Sequence, residues 1–164
     1  MKPEITNVAH GLSRLIHLAT AVLLLLGVSL PANAALGGNL DSVQSDQSRL
    51  QASVRLIEAH AYTVHVIETP FGTVVREYVS SAGRVFGVAW EGPFIPDLEQ
   101  LLGPYFSHFS RSAKVWRQSH VGRQPMNILE ADLVVRSAGH MRAYSGRAFD
   151  PRLLPEGVSG DDVR

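Results

Sequence analysis

The sequence of 164 residues contains no cysteine. Disulfide bonds and cysteine nucleophiles are therefore excluded, and a packed apolar core has to stabilise the fold. Several catalytic motifs are also missing, since the chain has no G-x-S-x-G, no H-E-x-x-H and no phosphate-binding glycine loop. Its histidines are scattered and lack the spacing of metal ligands. The residues therefore predict no catalytic residue, no metal ligand and no cofactor.

The N-terminus has the three parts of a secretory signal peptide. A polar leader ends at Arg14, an apolar run covers 15–30, and the A-x-A sequence Ala32-Asn33-Ala34 follows. The apolar run is shorter than the roughly 20 residues that a membrane span needs. We therefore expect cleavage after Ala34, export to the periplasm or the medium, and no stable membrane span after cleavage. An uncleaved anchor is the alternative.

The exported chain would have the length of one domain. We expect a single folded domain over 35–155 and a flexible C-terminal tail over 156–164, where glycine and charged residues interrupt regular structure. Removing Lys2, Arg14 and Glu4 lowers the 15 basic and 15 acidic residues to 13 and 14. Such a neutral chain argues against nucleic-acid binding, which usually requires a basic surface. The sequence does not indicate an oligomeric state.

Local patterns in the first half predict an α+β fold. Apolar residues at helical spacing over 43–57 indicate an N-terminal helix, although its end from Ser53 fits a strand equally well. Alternation and short glycine-containing turns over 61–90 predict a three-strand antiparallel meander. Gly87 interrupts the last of these strands, which suggests a β-bulge or a close backbone approach.

The second half continues with a central helix and a further hairpin. Asp97 followed by Gln100 resembles a capping box that opens a helix, and Gly103-Pro104 should kink that helix. Residues 114–121 resemble a strand, alternation over 129–135 predicts another, and 141–149 forms the returning strand of a hairpin.

A short internal repeat is also visible. Val74-Val75-Arg76 with Ser81-Ala82-Gly83 is echoed by Val134-Val135-Arg136 with Ser137-Ala138-Gly139. Two hairpins of similar kind would produce this pattern.

The clearest charge feature is a segment without carboxylates, since no acidic residue lies between Glu99 and Glu130. We predict that this cationic segment provides the binding surface through Arg111, Lys114, Trp116, Arg117 and Arg123. Such a surface suits an acidic envelope protein or another anionic ligand. The alternative is a solvated face whose carboxylates come from other strands.

Two alternatives to a binding protein remain open. His65 and Glu77 are expected to lie near each other across a hairpin, so a small enzyme could use them as an acid–base pair, with Tyr78 beside them. A small-molecule carrier with a pocket between sheet and helices is the other alternative.

The segment from Ala61 to Phe106, together with ALGG at 35–38 and LLPEGVS at 153–159, resembles an uncharacterised family of small exported proteobacterial proteins, domain of unknown function 2844. The resemblance covers nearly the whole exported chain and implies a single exported domain. It implies no activity, ligand or site residue. The signal peptide, the missing catalytic motifs and the family resemblance together lead us to expect a non-catalytic binding or accessory module of the cell envelope.

Overall fold

The computed structural model describes residues 36–39, 53–120, 122 and 124–164. These residues all belong to one compact unit, 32–164. The signal peptide, most of the expected N-terminal helix, and Arg123 of the predicted binding surface lie outside the described residues. In the part of the chain that is described, no helix has the length and hydropathy to cross a bilayer.

Seven β-strands form the framework of the described chain. They are β1 (Ser53–Glu58), β2 (Tyr62–Glu68), β3 (Val74–Ser80), β4 (Val85–Gly92), β5 (Met126–Leu129), β6 (Val134–His140) and β7 (Ala143–Phe149). All neighbouring pairs are antiparallel, and they form one sheet in the order β1-β2-β3-β4-β7-β6-β5. The meander predicted over 61–90 is therefore confirmed as β2, β3 and β4. The strand β1 extends this meander. It covers the residues from Ser53, for which the sequence fits a helix and a strand equally well.

One helical segment of three parts connects the two halves of the sheet. It consists of α1 (Leu98–Leu102), a 3₁₀ turn (Gly103–Tyr105) and α2 (Phe106–Ser119). The carboxylate of Asp97 caps it by accepting hydrogen bonds from the amides of Glu99 at 3.0 Å and Gln100 at 3.2 Å. The predicted cap and the predicted interruption at Gly103-Pro104 are both confirmed, since Pro104 cannot supply an amide to a continuous α-helix.

Two predictions for the second half are wrong. Residues 114–119 are helical and not a strand, because Ala113 and Trp116 continue the helical spacing of Phe109. The alternation over 129–135 is divided by a turn in which the Glu130 amide donates to the Leu133 carbonyl at 3.0 Å. The predicted α+β class is confirmed in its coarse form, as a mostly β domain with one helical segment.

The helical segment and the C-terminal residues cover opposite faces of the sheet. On the first, which we call the helix face, Leu102, Phe109 and Ala113 pack against strand residues such as Val88 and Trp90. On the second, which we call the tail face, the C-terminal segment 150–164 contributes Leu153, Leu154, Val158 and Val163 to a cluster with Val64, Tyr78, Phe86 and Phe149. Both faces are therefore partly buried, by elements of different kinds.

Gly87 lies at a β-bulge, as the sequence suggested. Tyr78 pairs with Gly87 while Val79 pairs with Val85, so Phe86 is the extra residue of β4. A Cβ atom on Gly87 would lie 2.8 Å from Cγ2 of Val163. The glycine therefore also permits the close approach of the C-terminal segment to the sheet.

The segment that the sequence predicts to be a flexible tail is packed against the sheet. Val163 is 0% exposed. The Tyr78 hydroxyl accepts a hydrogen bond from the Arg164 amide at 2.9 Å and donates one to the Arg164 carbonyl. The sequence interpretation missed this contact because no periodic pattern marks a segment that is held by single apolar residues and backbone groups.

This packing predicts that Val163 contributes to global stability. Val163→Ala should lower the free energy of unfolding by about 2 kcal/mol, because it removes two buried methyl groups and leaves a cavity. Urea denaturation of residues 35–164 measures this, with the exposed Glu156→Ala as the control. Equal stability of both variants and the wild type would contradict the docking of the tail.

Candidate functional site

Three arginine side chains lie in one row across the tail face. Arg76 on β3 pairs with Ala89 on β4, Ala89 pairs with Arg147 on β7, and Arg147 pairs with Arg136 on β6. Residues that pair directly across antiparallel strands point to the same face. Since Ala89 belongs to the tail-face cluster, the three arginines also point to that face. We call them the arginine row.

The arginine row borders a depression of about 640 Å³, which we call the arginine depression. Its charged lining consists of four arginines and one carboxylate: Arg76, Arg136, Arg147, Arg164 and Glu91. Volumes of this order are typical of sites for small molecules. The depression therefore combines the size of a ligand site with an excess of cations at its walls.

Each arginine of the row lies near a carboxylate, but the three contacts differ in length. Arg147 Nη2 lies 2.9 Å from Oδ1 of Asp161, and its Nη1 donates to the Val163 carbonyl at 3.0 Å. Arg136 Nη1 lies 3.9 Å from the same Asp161 oxygen, and Arg76 Nη2 lies 3.9 Å from Glu91. Arg147 is thus fixed by the tail, whereas Arg136 has only a long contact within the described residues.

Trp90 and Gly146 show how the sheet is packed beneath this site. The two residues pair across β4 and β7, and both contribute to the lining of the depression. A Cβ atom on Gly146 would lie 2.2 Å from Cζ2 of Trp90, so only glycine permits the indole to lie flat over this strand. This packing lies on the helix face, opposite the arginine side chains, and it holds together the two strands that carry Glu91 and Arg147.

The structure divides the binding surface that the sequence predicts. Trp116 and Arg117 line a second depression, of about 380 Å³, and the Trp116 ring stacks on His120 with centroids 4.3 Å apart. Arg111 and Lys114 are exposed on α2 and line neither depression. In the described chain, no carboxylate lies within 4.0 Å of the charged groups of Arg111, Lys114 or Arg117. The cationic segment is therefore an exposed surface on α2 that borders the second depression only at its end.

His65 and Glu77 are direct partners across β2 and β3, as the hypothesis of an enzymatic acid–base pair requires. Glu77 is only 1% exposed, and burial lowers the pKa of His65. Neither residue lines either of the two depressions. Tyr78 belongs to the tail-face cluster and so points away from Glu77, its neighbour on the strand. The three residues do not form one constellation.

A polar network that the sequence reasoning missed joins α2 to the β5–β6 turn. Nε2 of His108 contacts Glu130, while its Nδ1 lies 3.5 Å from Oδ1 of Asp132. The Ser112 hydroxyl donates to Glu130 at 2.5 Å. The His108, Glu130 and Asp132 groups are of kinds that bind metal ions and lie within 4.8 Å of one another. Because both histidine nitrogens already meet carboxylates and Arg152 lies 3.9 Å from Asp132, we interpret the network as a structural link.

The same network continues into the buried Asp150 at the start of the C-terminal segment. Asp150 accepts hydrogen bonds from the Tyr105 hydroxyl at 2.6 Å and from Arg152 Nη2 at 2.7 Å. Burial favours the neutral form of Asp150, but these donors outweigh it and lower its pKa. Burial and the Asp150 carboxylate together raise the pKa of Tyr105 to about 12. The Asp150 carboxylate thus ties the helical segment to the start of the tail.

The internal repeat in the sequence contains two arginines of the row, but it does not indicate that they lie in one row. The internal repeat places Arg76 and Arg136 at equivalent positions after two valines. In the structure these residues lie on β3 and β6, which flank the central β4–β7 pair. Only the order of the strands shows that the two arginines share a row, and this order cannot be inferred from alternation alone.

Fold and site together define a small single-sheet domain with an open, cationic ligand-sized depression and no assembled catalytic constellation among its described residues. The chain belongs to the family described as proteins of unknown function DUF2844, whose model matches residues 32–163. The resemblance noted from the sequence is thereby confirmed at the level of the family. No match was found among curated proteins or among solved structures.

The polar network predicts a measurable effect at Glu130. The hydrogen bond from Ser112, followed by the charge of His108, lowers the pKa of Glu130 below its ordinary value of 4.5. A lowered carboxyl pKa stabilises the fold above the ordinary value, and this stabilisation is lost as the pH falls through the folded-state value. Ser112→Ala should raise the pKa of Glu130, which a carbon-detected NMR titration of its carboxyl group measures.

The control for this titration is Ser110→Ala, on the exposed side of the same helix. It should leave the Glu130 titration unchanged. If Ser112→Ala also leaves it unchanged, Ser112 does not hold the carboxylate and the network ends at His108.

Proposed function

We propose that this protein is an exported, non-catalytic binding module of the cell envelope and that it binds an anionic small molecule in the arginine depression. The observation that carries the proposal is the concentration of four arginines and one carboxylate around a concave site of about 640 Å³. Guanidinium groups donate in a planar fork that matches carboxylate and phosphate oxygens. An anionic ligand is therefore the class that these walls would favour.

A binding role is supported over catalysis by what surrounds the depression. Its described lining contains four arginines, apolar and small residues, one amide and the carboxylate of Glu91, but no histidine. General acid–base chemistry needs a group that exchanges protons near neutral pH, and arginine stays protonated there. The groups of the alternative enzyme reading, His65 and Glu77, lie outside this lining.

Export is proposed from the N-terminal sequence. The leader, the apolar run and Ala32-Asn33-Ala34 have the order that a secretory signal requires. An exported module would meet anionic solutes and envelope components directly, which fits the chemistry of the depression.

The export proposal predicts a defined mature mass. Full-length protein produced in a Gram-negative host should appear in the periplasmic fraction with the mass of 35–164, because Ala32 and Ala34 provide the small residues that signal peptidase needs. Ala34→Asp should block cleavage, whereas Asn33→Asp should not. Intact-mass spectrometry measures the three proteins. Retention of the uncleaved mass by the wild type would contradict the proposal.

The binding proposal predicts that one arginine of the row is required for a retained ligand. Native mass spectrometry of protein purified from the envelope fraction should show an added mass of small-molecule size on the wild type. Arg136→Gln should lose it, because this exposed guanidinium borders the depression and has only the long Asp161 contact to lose. Arg55→Gln is the control, since Arg55 pairs with Val66 and lies outside the lining.

The same spectra distinguish the arginine depression from the cationic segment. Reversal of Arg111, Lys114 and Arg117 to glutamate should leave a ligand of the depression bound. If the triple reversal removes the added mass and Arg136→Gln does not, the predicted binding surface on α2 is the site. Identical spectra for the wild type and all variants contradict a site at either place.

A further inference from the structure

Asp161 supplies an anionic group to the arginine depression from within the chain. One of its carboxylate oxygens lies 2.9 Å from Arg147 Nη2 and 3.9 Å from Arg136 Nη1. These two arginines are direct partners across β6 and β7. A single oxygen atom therefore lies between two guanidinium groups, which is the arrangement that a bound carboxylate or phosphate would adopt.

The backbone turn that carries Asp161 does not depend on the ion pair. The turn that carries Asp161 is closed by its neighbours, since the Ser159 amide donates to the Asp162 carboxylate at 2.7 Å and the Asp162 amide donates to the Ser159 carbonyl at 3.1 Å. The Asp161 side chain is 86% exposed. It can therefore rotate into solvent while the turn and the buried Val163 stay in place.

Arg147 keeps its position when the Asp161 side chain rotates away. Arg147 is 19% exposed in its side chain and still donates to the Val163 carbonyl at 3.0 Å. Arg136 extends from the neighbouring strand on the same face. The tail backbone thus holds Arg147, while the Arg136 side chain is half exposed and can adjust. An incoming anion would meet one fixed guanidinium group with a second one beside it.

We propose that the Arg136–Arg147 pair binds an oxyanion of a small-molecule ligand, a carboxylate or a phosphate group, in exchange for the Asp161 carboxylate. Asp161 acts as an internal competitor that occupies the pair in the absence of ligand and lowers the apparent affinity. The remainder of the ligand lies in the depression between this pair and Arg76. This inference rests on the proposed function and adds the ligand group, its two donors and the residue that regulates them.

The inference predicts that removing the competing charge tightens binding. Asp161→Asn should bind inorganic pyrophosphate and citrate about three- to fivefold more tightly than the wild type, because an exposed ion pair of modest strength no longer opposes the ligand. Isothermal titration calorimetry on the exported chain measures the dissociation constants. Glucose serves as the uncharged probe and should not bind.

Asp162→Asn is the matched control for charge. It removes the same charge one residue away, from a carboxylate that bonds Ser159 and contacts neither arginine. It should change the affinity clearly less than Asp161→Asn does. If both variants tighten binding equally, the effect is one of net charge and the exchange with Asp161 is overturned.

Further variants separate failure of this inference from failure of the proposed function. Arg136→Gln should weaken pyrophosphate and citrate binding at least tenfold in both the wild-type and the Asp161→Asn background. If native mass spectrometry shows an Arg136-dependent ligand but Asp161→Asn has no effect, the inference fails and the binding function stands. If neither the retained ligand nor the titrated anions depend on Arg136, both fail.

The source of the oxyanion is distinguished by a vesicle assay. Sedimentation with phosphatidylglycerol vesicles, compared with phosphatidylcholine vesicles, tests a lipid head group. Binding to free pyrophosphate or citrate without binding to either vesicle supports a soluble ligand. Arg136-dependent binding to phosphatidylglycerol alone would overturn the proposal of a soluble small molecule.

Discussion

The pairing of β4 with β7 is the contact on which the rest of this structure depends. It joins a meander of four consecutive strands to a second group of three, and so makes one sheet from two. Residues more than fifty positions apart in sequence become neighbours at this seam, where Trp90 lies over Gly146. The arginine row crosses the seam, because Ala89 and Arg147 are partners in the same ladder. Without this pairing, Arg76 would be separated from the other two arginines.

The two faces of the sheet are covered in ways that explain where a site can lie. The helix face carries a helical segment that packs Leu102, Phe109 and Ala113 against the strands. The tail face is covered by a short segment of irregular structure, which has fewer apolar side chains to contribute. Beyond the reach of this segment the sheet stays open, and charged residues replace apolar ones. A face that is incompletely covered by an extended tail therefore provides a concave, solvated surface on a rigid support.

Sequence reasoning identified what depends on local patterns. Alternation of apolar residues predicted the meander. Asp97 predicted the start of the helical segment, and Gly103 and Pro104 predicted its interruption, because caps and prolines act within one turn. Gly87 was recognised as a bulge or close approach, and both are present. By contrast, the docking of Val163 and the arginine row depend on which strands become neighbours. His108 and Glu130 meet for the same reason, so their network could not be inferred from spacing.

The near neutrality of the chain is compatible with a strongly cationic site, because net charge describes a sum and a ligand responds to local charge. Acidic residues at the β5–β6 turn and in the C-terminal segment compensate arginines locally: Asp150 lies 2.7 Å from Arg152 and Asp161 lies 2.9 Å from Arg147. Arg136 is the member of the arginine row whose compensation is weakest, since its described carboxylate contact is both long and exposed. The charge that would attract a ligand thus depends less on the number of arginines than on whether the Asp161 carboxylate lies between Arg136 and Arg147 or points into solvent.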